Sequence, residues 1–217
     1  MTDLESRLER ALKDGDAADA RARVAKHSSA SVEHYTPAGI VDLARSLMGG
    51  IDLDPASCAK ANEIIKAARY FTEETDGLAQ EWRGSIWLNP PGGRHPDYGT
   101  ASLTKIWWRK LVREWQADHV SQACFLGFNM ECLQTTQSYD KRYPWPGKDL
   151  AMTDFPICIP SKRICFLYVE AGDTRFKVGG GPTHANVIVY VGHAWDRFAE
   201  VFGALGAVMM PNHLRRE

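Results

Sequence analysis

Short apolar runs that stop at turn residues, alternating with segments of helical period, predict an α/β fold with a mostly parallel central sheet and a terminal antiparallel hairpin. Three observations carry this expectation. Ile86-Trp87-Leu88 and Ala123 to Phe128 are continuous apolar runs, as strands covered on both faces require. Ile40, Val41, Leu43, Ala44, Leu47 and Met48, and again Leu103, Ile106, Trp107, Leu111 and Trp115, recur at the three- and four-residue steps of amphipathic helices. Near the end, Gly179-Gly180-Gly181-Pro182 stands between the apolar runs Ile164 to Val169 and Asn186 to Val191, the pattern of a hairpin.

With 217 residues, 44% of them hydrophobic, the chain can bury one substantial core. Residues 1–30 are rich in Ala, Arg, Asp and Glu and poor in apolar side chains, so they read as a helical or partly disordered arm, with a Thr2/Glu5 capping box, ahead of a domain over 31–217. A net charge of −1 argues against a protein that holds nucleic acid by overall charge alone, and leaves local patches open. The five cysteines form no CxxC pair and sit mostly in apolar runs, so reduced thiols are expected and a metal site is not. No apolar run approaches 18 residues and the N-terminus is charged, so neither membrane insertion nor secretion is expected.

In chain order, Thr36 and Pro37 are placed as N-cap and first residue of the first helix, and Gly49-Gly50 as its stop. Ile51-Asp52-Leu53-Asp54-Pro55-Ala56-Ser57 follows as a short strand and turn, before a helix from Cys58 to Ala68. Asp52 and Asp54 alternate and so share a face, which is costly in a buried parallel strand unless the carboxylates are used. A carboxylate ending the first strand of an α/β unit is placed to hold a cofactor's amino or hydroxyl groups, although no GxGxxG accompanies it here. Arg69 to Thr72 reads as an edge segment, Asp76-Gly77 as a turn, and Trp82 as a packing aromatic.

The central run ends abruptly in Asn89-Pro90-Pro91-Gly92-Gly93. Two prolines fix φ and lack N–H groups, so the chain leaves the sheet at Asn89, and the Asn89 side-chain oxygen and Pro90 carbonyl are both left as acceptors at a strand's carboxyl end. A plain strand-ending turn would use the same residue types. The loop of residues 92–99 is a candidate lid, and the helix after it carries Lys105, Arg109, Lys110 and Arg113. Asn129 to Ser138 reads as a polar loop or short helix. Residues 139–160 interleave Tyr143 and Trp145 with Lys141, Arg142 and Lys148, a composition suited to stacking on bases and meeting phosphates. Ile157 to Arg163 leads into the strand from Ile164, and a helix from Trp195 to Leu205 closes the fold.

Taken in order, Tyr35-Thr36-Pro37, Asp52-Leu53-Asp54-Pro55-Ala56-Ser57, Asp76-Gly77-Leu78, Trp82, Asn89-Pro90-Pro91 and Lys162-Arg163-Ile164 resemble the phage-encoded DNA N-6-adenine methyltransferases, the Dam-like family, over residues 33–192. The resemblance implies a Rossmann-like methyltransferase fold, S-adenosylmethionine as cofactor, double-stranded DNA of a phage or prophage genome as partner, and the cytoplasm of a bacterial host as location. It implies Asn89, Pro90 and Pro91 as the catalytic turn. It assigns Tyr35, Thr36, Pro37, Asp52, Asp54, Pro55 and Asp76 to the cofactor, with Asp54 toward its methionyl part and Asp76 toward its adenosyl part. It also implies that the adenine is flipped out of the duplex to reach the turn.

One position departs. The family's motif ends in an aromatic that stacks on the flipped base, and here that position is Gly92. Tyr98 on the following loop, and Trp107 or Trp108 on the next helix, are the candidate replacements; with Gly92 and Arg163 they complete the expected substrate contacts. The departure leaves two alternatives open: another planar amine or amide as substrate, such as an RNA base or a protein glutamine, or a catalytically degenerate DNA-binding or regulatory protein on the same fold.

Overall fold

A computed structural model of the protein describes residues 34–94, 102–137, 150–170, 172–179 and 184–214. The expected arm, its Thr2/Glu5 cap, Tyr98 and the basic-aromatic stretch from Tyr139 to Lys148 lie outside these residues.

The core is a seven-stranded mixed sheet in the order β2-β1-β3-β4-β8-β5-β9, with a separate two-stranded sheet β6-β7. Its parallel half comprises β1 (Leu53–Asp54), β2 (Arg69–Tyr70), β3 (Gly84–Leu88) and β4 (Val120–Gly127). Beyond β4, β8 (Val187–Val191) runs antiparallel, β5 (Ile157–Pro160) returns to the direction of β4, and β9 (Gly206–Met209) reverses again at the edge. Strand direction is thus mostly shared, as expected for an α/β fold.

Helices cover both faces. On one side α1 (Ala38–Met48), Ile65 of α2 (Ala59–Ile65), and α5 (Trp195–Phe202) pack with Trp87, Cys124, Leu126, Ile188 and Tyr190. On the other, Trp107, Trp108, Leu111 and Val112 of α3 (Leu103–Gln116) and Cys132 of α4 (Glu131–Gln137) pack with Leu53, Ile86, Leu88 and Phe125. Every second residue of β3 therefore faces a different core, which is why its apolar run is unbroken. Burying each such large side chain contributes about 1.5 to 3 kcal/mol, so the strand is held from two sides. Among the described residues no helix is long and apolar enough to cross a membrane.

The hairpin differs from its expected place. It forms between β6 (Leu167–Tyr168) and β7 (Lys177–Val178), both upstream of the triple glycine, while Val187–Val191 enters the central sheet between β4 and β5. All five residues of β8 are buried, and a strand apolar on both faces gains most from the middle of a covered sheet, whereas β6 and β7 are half-buried or exposed. Ile157–Pro160, expected only as a lead-in, is β5, and its Pro160 sits at the strand's last position, where the ladder tolerates it. The helix expected from Cys58 to Ala68 is shorter: the Cys58 sulfur caps it by accepting from the Ala61 N–H, and Lys66 ends it in the left-handed conformation.

Candidate active site

The chain leaves β1 through α2 to reach β2 on one side, while β3 lies on the other side of β1 and leaves through α3 on the opposite face. The connections from the carboxyl ends of β1 and β3 therefore leave over opposite faces, and the crevice of such a switch point is where open α/β sheets take ligands. Leu53 pairs with Ile86, so Asp54-Pro55 and Asn89-Pro90 end neighbouring strands.

Asn89 is half-buried, and its amide Nδ2 donates to the Thr36 hydroxyl at 3.4 Å. That orientation leaves the Asn89 Oδ1 without a donor among the described residues. Thr36, 3% exposed, does not cap α1 as expected. Pro37 takes the N-cap position without a side-chain cap, and the hydroxyl is spent on Asn89 instead. Pro90 is buried and Pro91 exposed. Tyr35 bridges to β6 through paired backbone hydrogen bonds with Leu167, both 2.8 Å, and its ring meets Phe176 edge-on at 5.3 Å. Lys60 of α2 donates to the Thr174 carbonyl and lies 4.3 Å from the Phe176 ring. The β6-β7 hairpin is thereby tied to both α2 and the Tyr35-Thr36 segment, above the strand ends.

Asp52 and Asp54 have separate fates. Asp52 is exposed; its carboxylate accepts from the Ser85 N–H at 2.7 Å and occupies the space a Cβ on Gly84 would need. It clamps β1 to the beginning of β3, at the end of the strands away from Asn89. Asp54 is 3% exposed, and its Oδ1 accepts from the Ala56 N–H at 3.2 Å. Burial pushes the Asp54 carboxyl up to about 7, opposed by the nearby Ser57 hydroxyl and the Ala56 N–H. The Ser57 Oγ is buried beside it, close enough to oppose that rise, yet makes no hydrogen bond of full geometry. A buried carboxylate and an unpartnered hydroxyl at one strand end have spare capacity for a cationic or donor-rich ligand group.

The Asp76-Gly77 turn packs on this corner. A Cβ on Gly77 would fall on the Pro55 carbonyl oxygen, and the Trp82 indole N–H donates to the Gly77 carbonyl at 2.7 Å. Asp76 holds a left-handed φ of 49° and accepts from the Leu78 N–H at 3.1 Å. Trp82, read as a packing aromatic, is thus also the clamp that seats this turn against Pro55.

The expected substrate contacts are dispersed. Gly92 is exposed, and a Cβ there would meet nothing within 4 Å among the described residues. Trp107 is 6% exposed and stacked on Trp82 at 5.8 Å, and Trp108 is 1% exposed with its N–H given to the Leu150 carbonyl. Both expectations are corrected: these indoles were candidates only to replace the aromatic absent at Gly92, and the helix places them in the core beneath the sheet. Arg163 is exposed, on the connection between β5 and β6.

Two residues had escaped notice. Asn186, 3% exposed, donates through Nδ2 to the Phe128 carbonyl at 2.8 Å and accepts from the Ile164 N–H at 3.3 Å, joining the ends of β4 and β8 to the segment that carries Arg163. A polar residue opening an otherwise apolar strand was the available signal. Phe128 follows β4 directly and is 37% exposed.

A cavity of about 690 Å³ among Thr153, Phe155, Met209 and His213 lies at the far sheet edge and shares no residue with the crevice. No group of acidic, His or Cys side chains suited to a metal ion occurs among the described residues. The chain matches no protein-family model, no curated protein and no solved structure.

Proposed function

We propose that this protein is an S-adenosylmethionine-dependent methyltransferase that modifies the exocyclic amine of adenine in DNA, acting on a phage or prophage genome in the cytoplasm of a bacterial host. The observation that carries the reading is the pairing of two strand ends at one crevice: Asn89-Pro90, with Asn89 oriented by Thr36, beside the buried Asp54 with its unpartnered Ser57 neighbour. The ordered motifs from Tyr35 to Ile164, which include these residues, agree with it.

The cofactor fits the residues present, because Asp54 and Ser57 are acceptors with few partners that an ammonium or hydroxyl could meet. When bound, S-adenosylmethionine supplies an electrophilic methyl on a sulfonium. The Asn89 Oδ1 and the Pro90 carbonyl would accept the two amine hydrogens, drawing the nitrogen toward tetrahedral geometry and localising its lone pair for attack. No strong base is required before attack, since the nitrogen sheds its proton afterward. Thr36 holds the Asn89 amide so that Oδ1 rather than Nδ2 faces the amine, and the prolines keep the turn from relaxing, so orientation supplies much of the rate.

Purified protein, labelled cofactor and unmethylated DNA, followed by digestion to nucleosides, test the reading: labelled N6-methyl-2′-deoxyadenosine is expected, and none under any salt condition would sink it. The ringless Gly92 favours a second reading in which the planar amine belongs to another molecule. Competition between DNA, RNA and protein substrates separates the two.

A further inference from the structure

Among the described residues the Asn89 turn carries no ring of its own, because Gly92 stands where an aromatic would. The neighbouring strand ends in one. Leu88 pairs with Phe125 in the parallel β3-β4 ladder, so Phe128, just past the end of β4, stands at the same carboxyl edge where the chain leaves β3 at Asn89. A second route reaches the same place: Asn89 meets Thr36, Tyr35 bridges to Leu167, and Phe166, the residue before it, lies with its ring 6.3 Å from Phe128. The His184 ring is 5.0 Å from Phe128, and His34 is 6.0 Å from Phe166, so Phe128 sits in a row of rings along the carboxyl edge.

Phe128 differs from the other large aromatics of this half of the sheet in being exposed, whereas Trp82, Trp87, Trp107, Trp108 and Phe125 are buried. It is also rigidly mounted. Asn186 holds its carbonyl, and the preceding Gly127 is packed so closely that a Cβ there would lie 2.7 Å from the Cys132 sulfur and 2.8 Å from Val187. An apolar ring held by its backbone at the edge of a ligand crevice loses little entropy on stacking against a planar heterocycle.

We propose that Phe128 is the substrate-stacking residue, taking a purine ring presented to Asn89 in place of an aromatic at position 92. The proposal rests on the reading of the crevice as a site for a base bearing an exocyclic amine. The test uses 2-aminopurine, whose fluorescence is quenched by stacking, in three forms: the free deoxyriboside, a single-stranded oligonucleotide and a duplex. The full chain is titrated as wild type, Phe128→Leu and Phe128→Tyr, with melting curves to verify folding; leucine keeps the apolar bulk and removes the ring. Wild type is expected to quench at least one form, Phe128→Leu to need about tenfold or more protein for half-saturation, and Phe128→Tyr to restore the response. The free base and the unpaired strand are read by quenching; the duplex, already quenched by its own stack, is read by flipping that brightens with Phe128→Leu and stays dim with wild type. Equal responses from wild type and folded Phe128→Leu, or no quenching in any form, would overturn the proposal. Quenching through Phe128 with no methyl transfer would uphold the stacking platform and defeat the methyltransferase reading, so the two fail separately.

Discussion

The two halves of the sheet end differently. In the antiparallel half, β8 is buried throughout from Val187 to Val191 and is paired on both sides, by β4 and by β5. In the parallel half, β1 and β3 stop short in Asp54-Pro55 and Asn89-Pro90, where polar groups are buried or half-buried with few partners. A parallel strand must send its chain away over a helix, so its carboxyl end is free to carry groups that no ladder uses, whereas an antiparallel neighbour fills that space with its own strand. The contrast sharpens within β1, where Asp52 is consumed by Ser85 and Gly84 while Asp54, two residues on, is left nearly without partners.

Asp54→Asn is the strongest way to break the contrast. With its carboxyl raised from 3.8 to about 7, folded Asp54 holds a proton that the unfolded chain releases near pH 4. Stability from this group therefore falls as pH rises from about 4 to about 7 and is level above, with an upper limit of roughly 4 kcal/mol lost. Removing the charge is expected to raise the melting temperature at pH 8 and leave it nearly unchanged at pH 4, as read by thermal melts at the two pH values. An unaltered pH 8 melt would show that Asp54 is not buried as a charge.

Gly77→Ala comes next. Its methyl would displace the Pro55 carbonyl, at a cost of about 1 to 3 kcal/mol, and denaturant titration should show it together with weakened cofactor binding, because the same shift moves Asp54. Asp52→Ala should cost about 1 to 2 kcal/mol through the orphaned Ser85 N–H, visible in the same titration, while cofactor affinity stays put. Gly92→Phe should change stability by less than about 0.5 kcal/mol, since the position opens to solvent, and should partly replace the ring at Phe128 in the 2-aminopurine titration.

Much of the parallel half was legible before folding. The run Ile86-Trp87-Leu88 into Asn-Pro-Pro, the period of α1 and the Gly49 stop in the left-handed conformation all express local rules, and they stand in the structure where the sequence placed them. What escaped the sequence was set by partners far along the chain. Alternation could place Asp52 and Asp54 on one face but could not show that Ser85 would claim only the first. Thr36 has the chemistry of a helix cap, and only the approach of Asn89, 53 residues away, diverts its hydroxyl. The glycines at 179–181 look like a hairpin turn, yet β8 pairs with β4 because its all-apolar faces need cover from two sides. Trp107 carried the right chemistry for stacking, and its helix turned that ring inward.

The most direct test of the account is calorimetric titration of S-adenosylmethionine into the wild type, Asp54→Asn and Asp52→Asn at pH 8. Binding by the wild type is expected, with a loss of about tenfold or more for Asp54→Asn and near wild-type affinity for Asp52→Asn. A wild type that does not bind, or an equal loss in both variants, would contradict the claim that the carboxyl ends of the parallel strands form the cofactor site.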